Sequence, residues 1–249
     1  MSQILVGTSG FVYRHWRGIL YPPGLPSDRW LARYAEVFPT VEVNNTFYRL
    51  PSLDAVERWR GGTPPDFCFS LKGSRYLTHL KRLTDTTRGL DQFLARALRL
   101  GRKLGPILWQ LPPQMKADPH RLESFLDALP TGLRCAFEFR TQDWYTEEVC
   151  DLLDRYGVAF CEHDLVDAPP PRITGGFRYL RFHGQSSHQG SYGADQLAPV
   201  AHDLASWRQR ADAYVYFNND VGGHAIRDAL ELTRLLQPRA DLSEHAPLM

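Results

Sequence analysis

The sequence lacks most of the features that would place it in a special class. Its four cysteines, Cys68, Cys135, Cys150 and Cys161, form no CxxC pair and no metal-type spacing, so neither a disulfide framework nor a zinc ribbon is expected. Three of them lie in apolar strand-like runs, where a free thiol is a small buried hydrophobe in a reduced, cytoplasmic setting. No stretch approaches the roughly 20 apolar residues that span a bilayer, and no membrane association is expected. The start, Met1-Ser2-Gln3-Ile4, enters a strand with neither a basic nor an apolar leader segment. An excess of one charge is missing too. A formal net charge of +1 gives no global pull towards nucleic acid or an acidic membrane, so any anion site must be local. Composition shifts and long linkers are also absent, and residues 1–249 read as one domain ending in a loosely ordered tail over about 237–249.

What the chain does have is repetition of strand and helix patterns. Eight β-rich runs are expected at Ile4–Ser9, Val41–Thr46, Phe67–Lys72, Ile107–Leu111, Arg134–Arg140, Val158–Asp164, Tyr179–His183 and Ala213–Asn218. Between most of them apolar residues recur every three or four positions, as in Phe93, Leu94, Ala97 and Leu98, or Val149, Leu152, Leu153 and Tyr156. Strands alternating with helices pair in parallel, and eight such units close a (β/α)8 TIM-type barrel. One unit departs from the ideal: Pro169, Pro170 and Pro171 leave little room for a helix, so the crossover from strand 6 to strand 7 should be irregular.

Alternation along each strand separates side chains that enter the barrel from those that meet the helices. In Cys135–Arg140 the phenylalanines suit the helix side, which aims Ala136, Glu138 and Arg140 inwards. The same logic selects Cys68, Ser70 and Lys72, then Arg181 and His183, with Glu42, Asn44, Gln110 and Asn218 from the other strands. Strand 6 is ambiguous, with either Glu162 and Asp164 or His163 pointing in. Glu42, Lys72, Glu138, Arg140, Arg181 and His183 should thus meet at the C-terminal mouth, where barrel enzymes place their chemistry. Charges buried there must pair with one another, as Glu42 with Lys72 and Glu138 with Arg181, or with a ligand.

Aromatic residues ring the same mouth: Phe11, Tyr13, Trp16, Tyr21, Phe47, Tyr48, Tyr76, Trp144 and Tyr192. Their faces either pack a lid or stack on a sugar ring or nucleobase. The stretch from His183 to Gly193 is rich in glycine and hydroxyls, and Asn218-Asn219-Asp220-Val221-Gly222-Gly223 leads into the last helix. Two such loops can bind phosphate through backbone N–H groups, with Arg181 beneath.

Val41–Tyr48, Lys72 with Thr78-His79, Gln110-Leu111-Pro112-Pro113, Glu138-Phe139-Arg140 with Trp144, Arg181-Phe182-His183-Gly184 and Tyr216–Asp220 also occur in a telling order. From Gly7 to about Leu236 the chain resembles the YecE-like family of uncharacterised barrels (domain of unknown function 72). His163-Asp164 matches a variant of a region where that family often has only the Asp. The resemblance implies a TIM-type barrel distantly similar to sugar isomerases and to the endonuclease IV-type repair barrel, with no established reaction.

The expected function is an enzyme acting on a small sugar- or phosphate-bearing anion, by isomerase, lyase or hydrolase chemistry. Glu138 would be the acid/base with His183 as its partner or proton shuttle, and Lys72, Arg140 and Arg181 would hold the anion. Lys72 as a Schiff-base nucleophile would need a depressed pKa. Glu42, Asn44, Asn218 and Asn219 would contact the substrate, with Tyr13, Trp16, Trp144 and Tyr192 around it. No cofactor is expected, because three cations in one layer oppose a divalent ion. The alternative is a metal-dependent isomerase or phosphodiesterase with Glu138, Asp164 and His183 as ligands. A single-stranded nucleic-acid-binding module is a third reading, disfavoured by the balanced charge.

Overall fold

A computed structural model describes residues 2–184 and 190–237. The tail expected beyond Gln237 and the middle of the loop after Gly184 lie outside the described residues. Strand β1 (Ile4–Ser9) is followed by α1 (Trp30–Ala35), β2 (Thr40–Val43), the short α2 (Asn45–Tyr48), α3 (Leu53–Gly61), β3 (Cys68–Lys72) and α4 (Thr87–Ala97). Then come β4 (Leu104–Gln110), α5 (Pro119–Asp127), β5 (Cys135–Glu138), α6 (Glu147–Arg155), β6 (Ala159–Phe160) and β7 (Glu162–His163). The chain continues with β8 (Arg178–Phe182), α7 (Gly193–Trp207), β9 (Ala213–Phe217) and α8 (His224–Leu236). Ser52, Asp118 and Thr146 start α3, α5 and α6 by accepting a backbone N–H three residues on, which satisfies a donor that each first turn leaves free.

All strand pairs are parallel, in the order β6-β5-β4-β3-β2-β1-β9-β8-β7. The two ends of that order are two pieces of one strand, split at Cys161. β6 pairs with β5 and β7 pairs with β8, so the chain itself closes the barrel. Each expected strand is found, the sixth in two halves.

The split explains the irregular crossover. No helix intervenes between β7 and β8, and Thr174 lies beside β6 instead. Its hydroxyl accepts from the Phe160 N–H (2.8 Å) and donates to the Val158 carbonyl (2.7 Å), satisfying backbone groups that the split leaves unpaired. Gly175 follows with φ +71°, and a Cβ there would stand 2.3 Å from the Val158 backbone, so only glycine fits. Arg172 ties the crossover to α6 through Glu147 (3.1 Å), Asp151 and Asp154.

Two cores follow from strand alternation. Phe69, Trp109, Phe137, Phe139 and Phe160 pack outwards with Leu90, Phe93, Phe125 and Trp144 in the main core. Leu108, Ala136, Ala159, Cys161, Tyr179, Tyr214 and Tyr216 fill the barrel interior, with Phe177 beside them. All four cysteines are free thiols. No helix among the described residues is long and apolar enough to cross a membrane.

Candidate functional site

The interior turns from apolar to polar in steps along the barrel axis. Above the aliphatic residues lies a layer of hydroxyls. Tyr216 meets Thr40 at 2.8 Å, and Tyr179 meets Ser70 at 2.6 Å. Tyr179 then donates to Glu42 at 2.6 Å, which begins a layer of charge. Ser9, at the end of β1, donates to the other Glu42 oxygen at 2.6 Å.

Arg181 stands at the centre of this layer with a wholly buried side chain. Its Nη2 and Nε donate to Glu42 (2.7 and 3.2 Å), and its Nη1 donates to Glu138. The other Glu138 oxygen accepts from Nε of Arg140. Burial by itself would raise the Glu138 carboxyl, but Arg181 and Arg140 outweigh it and hold the group well below the usual carboxylate range. Glu42 and Glu138 also carry no exposed surface. The expected pairing of Glu42 with Lys72 is therefore replaced: both carboxylates turn to Arg181.

Lys72 is left over. It ends β3, is 9% exposed, and places its Nζ 4.5 Å from the centre of the Phe47 ring. Among the described residues its ammonium has no salt bridge or hydrogen bond. Burial, reinforced by the Arg181 charge and only partly opposed by Glu138 and Glu42, pushes its pKa down to about 8. Arg140 is the second open group. Its side chain is 19% exposed, and its terminal nitrogens have no partner among the described residues. The charges acting on Lys72 can be counted: Glu42 and Glu138 are matched by Arg181 and Arg140. Lys72 is the uncompensated positive charge.

His183 is buried beside this group. Its Nε2 lies 3.7 Å from Glu138 and 3.4 Å from Arg181, and its Nδ1 lies 3.1 Å from the Asn218 amide. Burial and then Arg181 lower its pKa to about 3, against the pull of Glu138, so the ring is neutral at physiological pH. His79, not among the expected site residues, packs edge-on to Phe47 (5.0 Å). Burial and then Lys72 push it down to about 4.

The ambiguity of strand 6 is resolved by partners. Glu162 faces outwards and grips Arg178 (2.6 and 2.8 Å), which also meets Asp203 of α7. His163 turns to the mouth, with its ring 6.1 Å from that of His183 and Nε2 2.6 Å from the Phe139 carbonyl. Asp164 lies at the strand tip, where it accepts the His183 backbone N–H (3.0 Å) and the Tyr192 hydroxyl. The alternative metal set of Glu138, Asp164 and His183 thus meets as hydrogen-bonding partners of other groups. Among the described residues no three His, Cys, Asp or Glu side chains are arranged to hold a metal ion.

Three expected substrate contacts stand elsewhere. Arg181 is saturated by glutamates below the mouth, so it offers no guanidinium edge to an anion held by the loops. Trp144 is fully buried, stacked on Phe139 (4.7 Å) and bonded to the Met115 carbonyl (2.8 Å). Trp16 is fully buried, with its indole N–H 2.5 Å from Asp220. Both indoles anchor loops and present no open face. Tyr13 is half-buried and donates to the Ser9 carbonyl at 2.7 Å. Tyr192 is half-buried and accepts from the Gly184 N–H at 2.6 Å. Asn44, at the end of β2, borders a cleft of about 50 Å3 with Gly10, Phe11 and Tyr13, enough for a water-sized group. Its Oδ1 is buried and has no partner among the described residues.

The loop after β9 is organised by a residue that strand alternation does not single out. Asp228 of α8 is buried and accepts from Ser191 (2.6 Å), the Tyr192 N–H (3.2 Å) and Asn219 (2.6 Å). Asn219 also donates to the Gly190 carbonyl at 2.8 Å. The sequence signal was an aspartate on the apolar face of α8, between Ala225 and Ala229. Gly222 and Gly223 both take positive φ (77° and 73°) just before that helix. A separate cavity of about 580 Å3, lined by Tyr48, Trp59 and Arg96 among others, lies outside the strand ends and holds no acid–base cluster.

The comparisons with known proteins agree with this architecture. The family model described as "Protein of unknown function DUF72" matches residues 5–248. The chain is 25% identical to the UPF0759 protein YunF of Bacillus subtilis, over 87% of this chain and 90% of that one. It is 32% identical to the UPF0759 protein YecE of Escherichia coli K12 over 120 residues, 47% of this chain and 43% of that one. A crystal structure of a DUF72 family protein from Thermotoga maritima superposes with a TM-score of 0.85 at 29% identity, covering 94% of this chain and 99% of that one. One from Enterococcus faecalis gives 0.82 at 20% identity, covering 96% and 97%, and supports the fold alone. A closed parallel barrel, the motifs along it and a family match over nearly the whole chain lead to one conclusion: the chain belongs to the DUF72 (UPF0759, YecE-like) family.

Proposed function

We propose that the protein is an enzyme that binds a small sugar- or phosphate-bearing anion at the C-terminal mouth of its barrel and moves a proton on it. The observation that carries this reading is the charge count. Two carboxylates are matched by two guanidinium groups, and Lys72 remains with no counter-ion among the described residues in a confined site. A bound anion would supply the missing charge. Arg140 is suited to hold it, since its terminal nitrogens form a planar fork that fits phosphate or carboxylate. Lys72 is the group whose proton is labile near neutral pH, so it takes the acid/base role. Glu138 and Glu42, held by Arg181, fix the positions of Arg140 and the strand ends; they do not shuttle protons in this reading. His183, neutral, and Asn44 Oδ1 would orient substrate hydroxyls. The four free thiols suit a reducing, cytoplasmic setting. A small ligand is favoured over nucleic acid because both open cations lie inside the mouth.

Calorimetric titration with inorganic phosphate and sugar phosphates tests the reading. Saturable binding should weaken about tenfold to a hundredfold in Arg140→Met, the loss of one or two charge-assisted hydrogen bonds. Equal binding by wild type and variant, or no binding by either, would sink it.

A further inference from the structure

We infer that Lys72 is a nucleophilic amine that takes an anionic aldehyde or ketone as a Schiff base, while Arg140 holds the anionic group of the same molecule. This rests on the anion-site reading above and adds a covalent step and a substrate class to it.

Three observations converge. The first is the company that Lys72 keeps. Glu42 and Glu138 act on it through space, yet both turn their oxygens to guanidinium groups. A lysine retained to neutralise buried carboxylates would be bonded to one. Lys72 faces the Phe47 ring instead, which stabilises a cation without taking its proton.

The second is residue choice. Of 29 lysines and arginines in the chain, four are lysines: Lys72, Lys81, Lys103 and Lys116. The guanidinium groups that act on Lys72 are Arg140 and Arg181, while the exposed Arg75 acts on His79. Arginine is a permanent cation and cannot attack a carbonyl, whereas lysine becomes a nucleophile once it loses its proton. The position without a counter-ion is the one that carries lysine.

The third is the contrast with the other lysines. Lys103 donates to the Arg60 carbonyl (2.5 Å), the Thr63 carbonyl (2.7 Å) and the Thr63 hydroxyl (3.0 Å). Lys81 is paired with Asp85 at 3.5 Å, and Lys116 is exposed. Among the four, Lys72 combines burial, an aromatic face and the lack of any acceptor among the described residues. With its pKa pushed down to about 8, Lys72 holds on the order of a hundredfold more free amine near pH 7 than an ordinary lysine.

The step balances without a redox partner. The Nζ lone pair of neutral Lys72 forms a bond to the carbonyl carbon, and the carbonyl π pair moves to oxygen, which is protonated. The nitrogen loses one proton, and a second proton on oxygen lets it leave as water. The nitrogen lone pair forms the C=N bond, giving a protonated imine with net uptake of one proton.

The test uses the full chain with three probes: glyoxylate, pyruvate and dihydroxyacetone phosphate. Each mixture is reduced with sodium borohydride and mapped by mass spectrometry. The expected result is a reduced adduct on Lys72 exceeding that on each of Lys81, Lys103 and Lys116 by at least about tenfold at pH 7. Uncharged dihydroxyacetone should label Lys72 less than its phosphate, and Arg140→Met should remove that difference. Lys72→Arg, which keeps the charge, should abolish the label. Labelling of Lys72 no greater than that of the other three lysines, with phosphate still binding in calorimetry and weakened by Arg140→Met, would overturn the Schiff base and leave the anion site standing. Failure of phosphate to bind at all would overturn both.

Discussion

Arg181 and Lys72 are both cations aimed into the same barrel, yet one belongs to a closed ionic centre and the other to an open rim. In the centre, Arg181 uses all three nitrogens on two glutamates that themselves accept from Ser9, Tyr179 and Arg140. At the rim, Lys72 has no acceptor among the described residues and Arg140 has a free fork. The difference teaches that an inward charge on a barrel strand is not functional by position alone. What separates scaffold from reactive group is whether its partners are already present in the protein.

The contrast makes Arg181→Met the most damaging change. It strands two buried carboxylates and should lower unfolding free energy by about 3–5 kcal/mol in urea titration, the usual cost of breaking a buried pair. A loss below about 1 kcal/mol would show that the centre is not closed. Next comes acid sensitivity through His183. Its folded pKa, about 3, lies below the unfolded value of 6.5. As pH falls across that window the unfolded chain takes up a proton that the folded chain refuses, so stability drops, by up to about 1.4 kcal/mol per pH unit. His183→Gln should flatten that slope in denaturation curves collected from pH 6 to pH 3.5.

Lys72→Met should have the opposite sign. Removing an unpaired buried ammonium should leave stability at pH 7 unchanged or raised by about 1 kcal/mol, as is common where function keeps a strained group. The pH dependence sharpens this. Because the folded pKa of about 8 lies below the ordinary 10.5, the unfolded chain binds more protons between those values, and wild-type stability should rise with pH across that window. Lys72→Met should lose the rise. A variant as unstable as Arg181→Met would make Lys72 part of the scaffold.

Much of this was legible in the sequence because it depends on periodicity. Phe137 and Phe139 against Glu138 and Arg140 gave the facing of β5 outright. The proline run at 169–171 announced the missing helix before β8. Which charges pair is a different kind of fact. Glu42 could reach Lys72 or Arg181 by parity, and only three-dimensional distance decides, so the pairing of Glu42 with Lys72 gives way to one with Arg181. Trp16 and Trp144 follow strands in loops, where no period tells an anchor from a stacking face. Asp228 could have been found as a charged residue inside an apolar helical stripe, but its partners Ser191 and Asn219 lie far from it or in another loop.

Selective 13Cε labelling of lysine gives the sharpest view of the rim, since the chain has four lysines and hence four signals to follow against pH. One resonance, absent in Lys72→Arg, should titrate near pH 8. A Lys72 signal that titrates near the ordinary 10.5 would contradict the assignment of Lys72 as the free, reactive amine of the mouth.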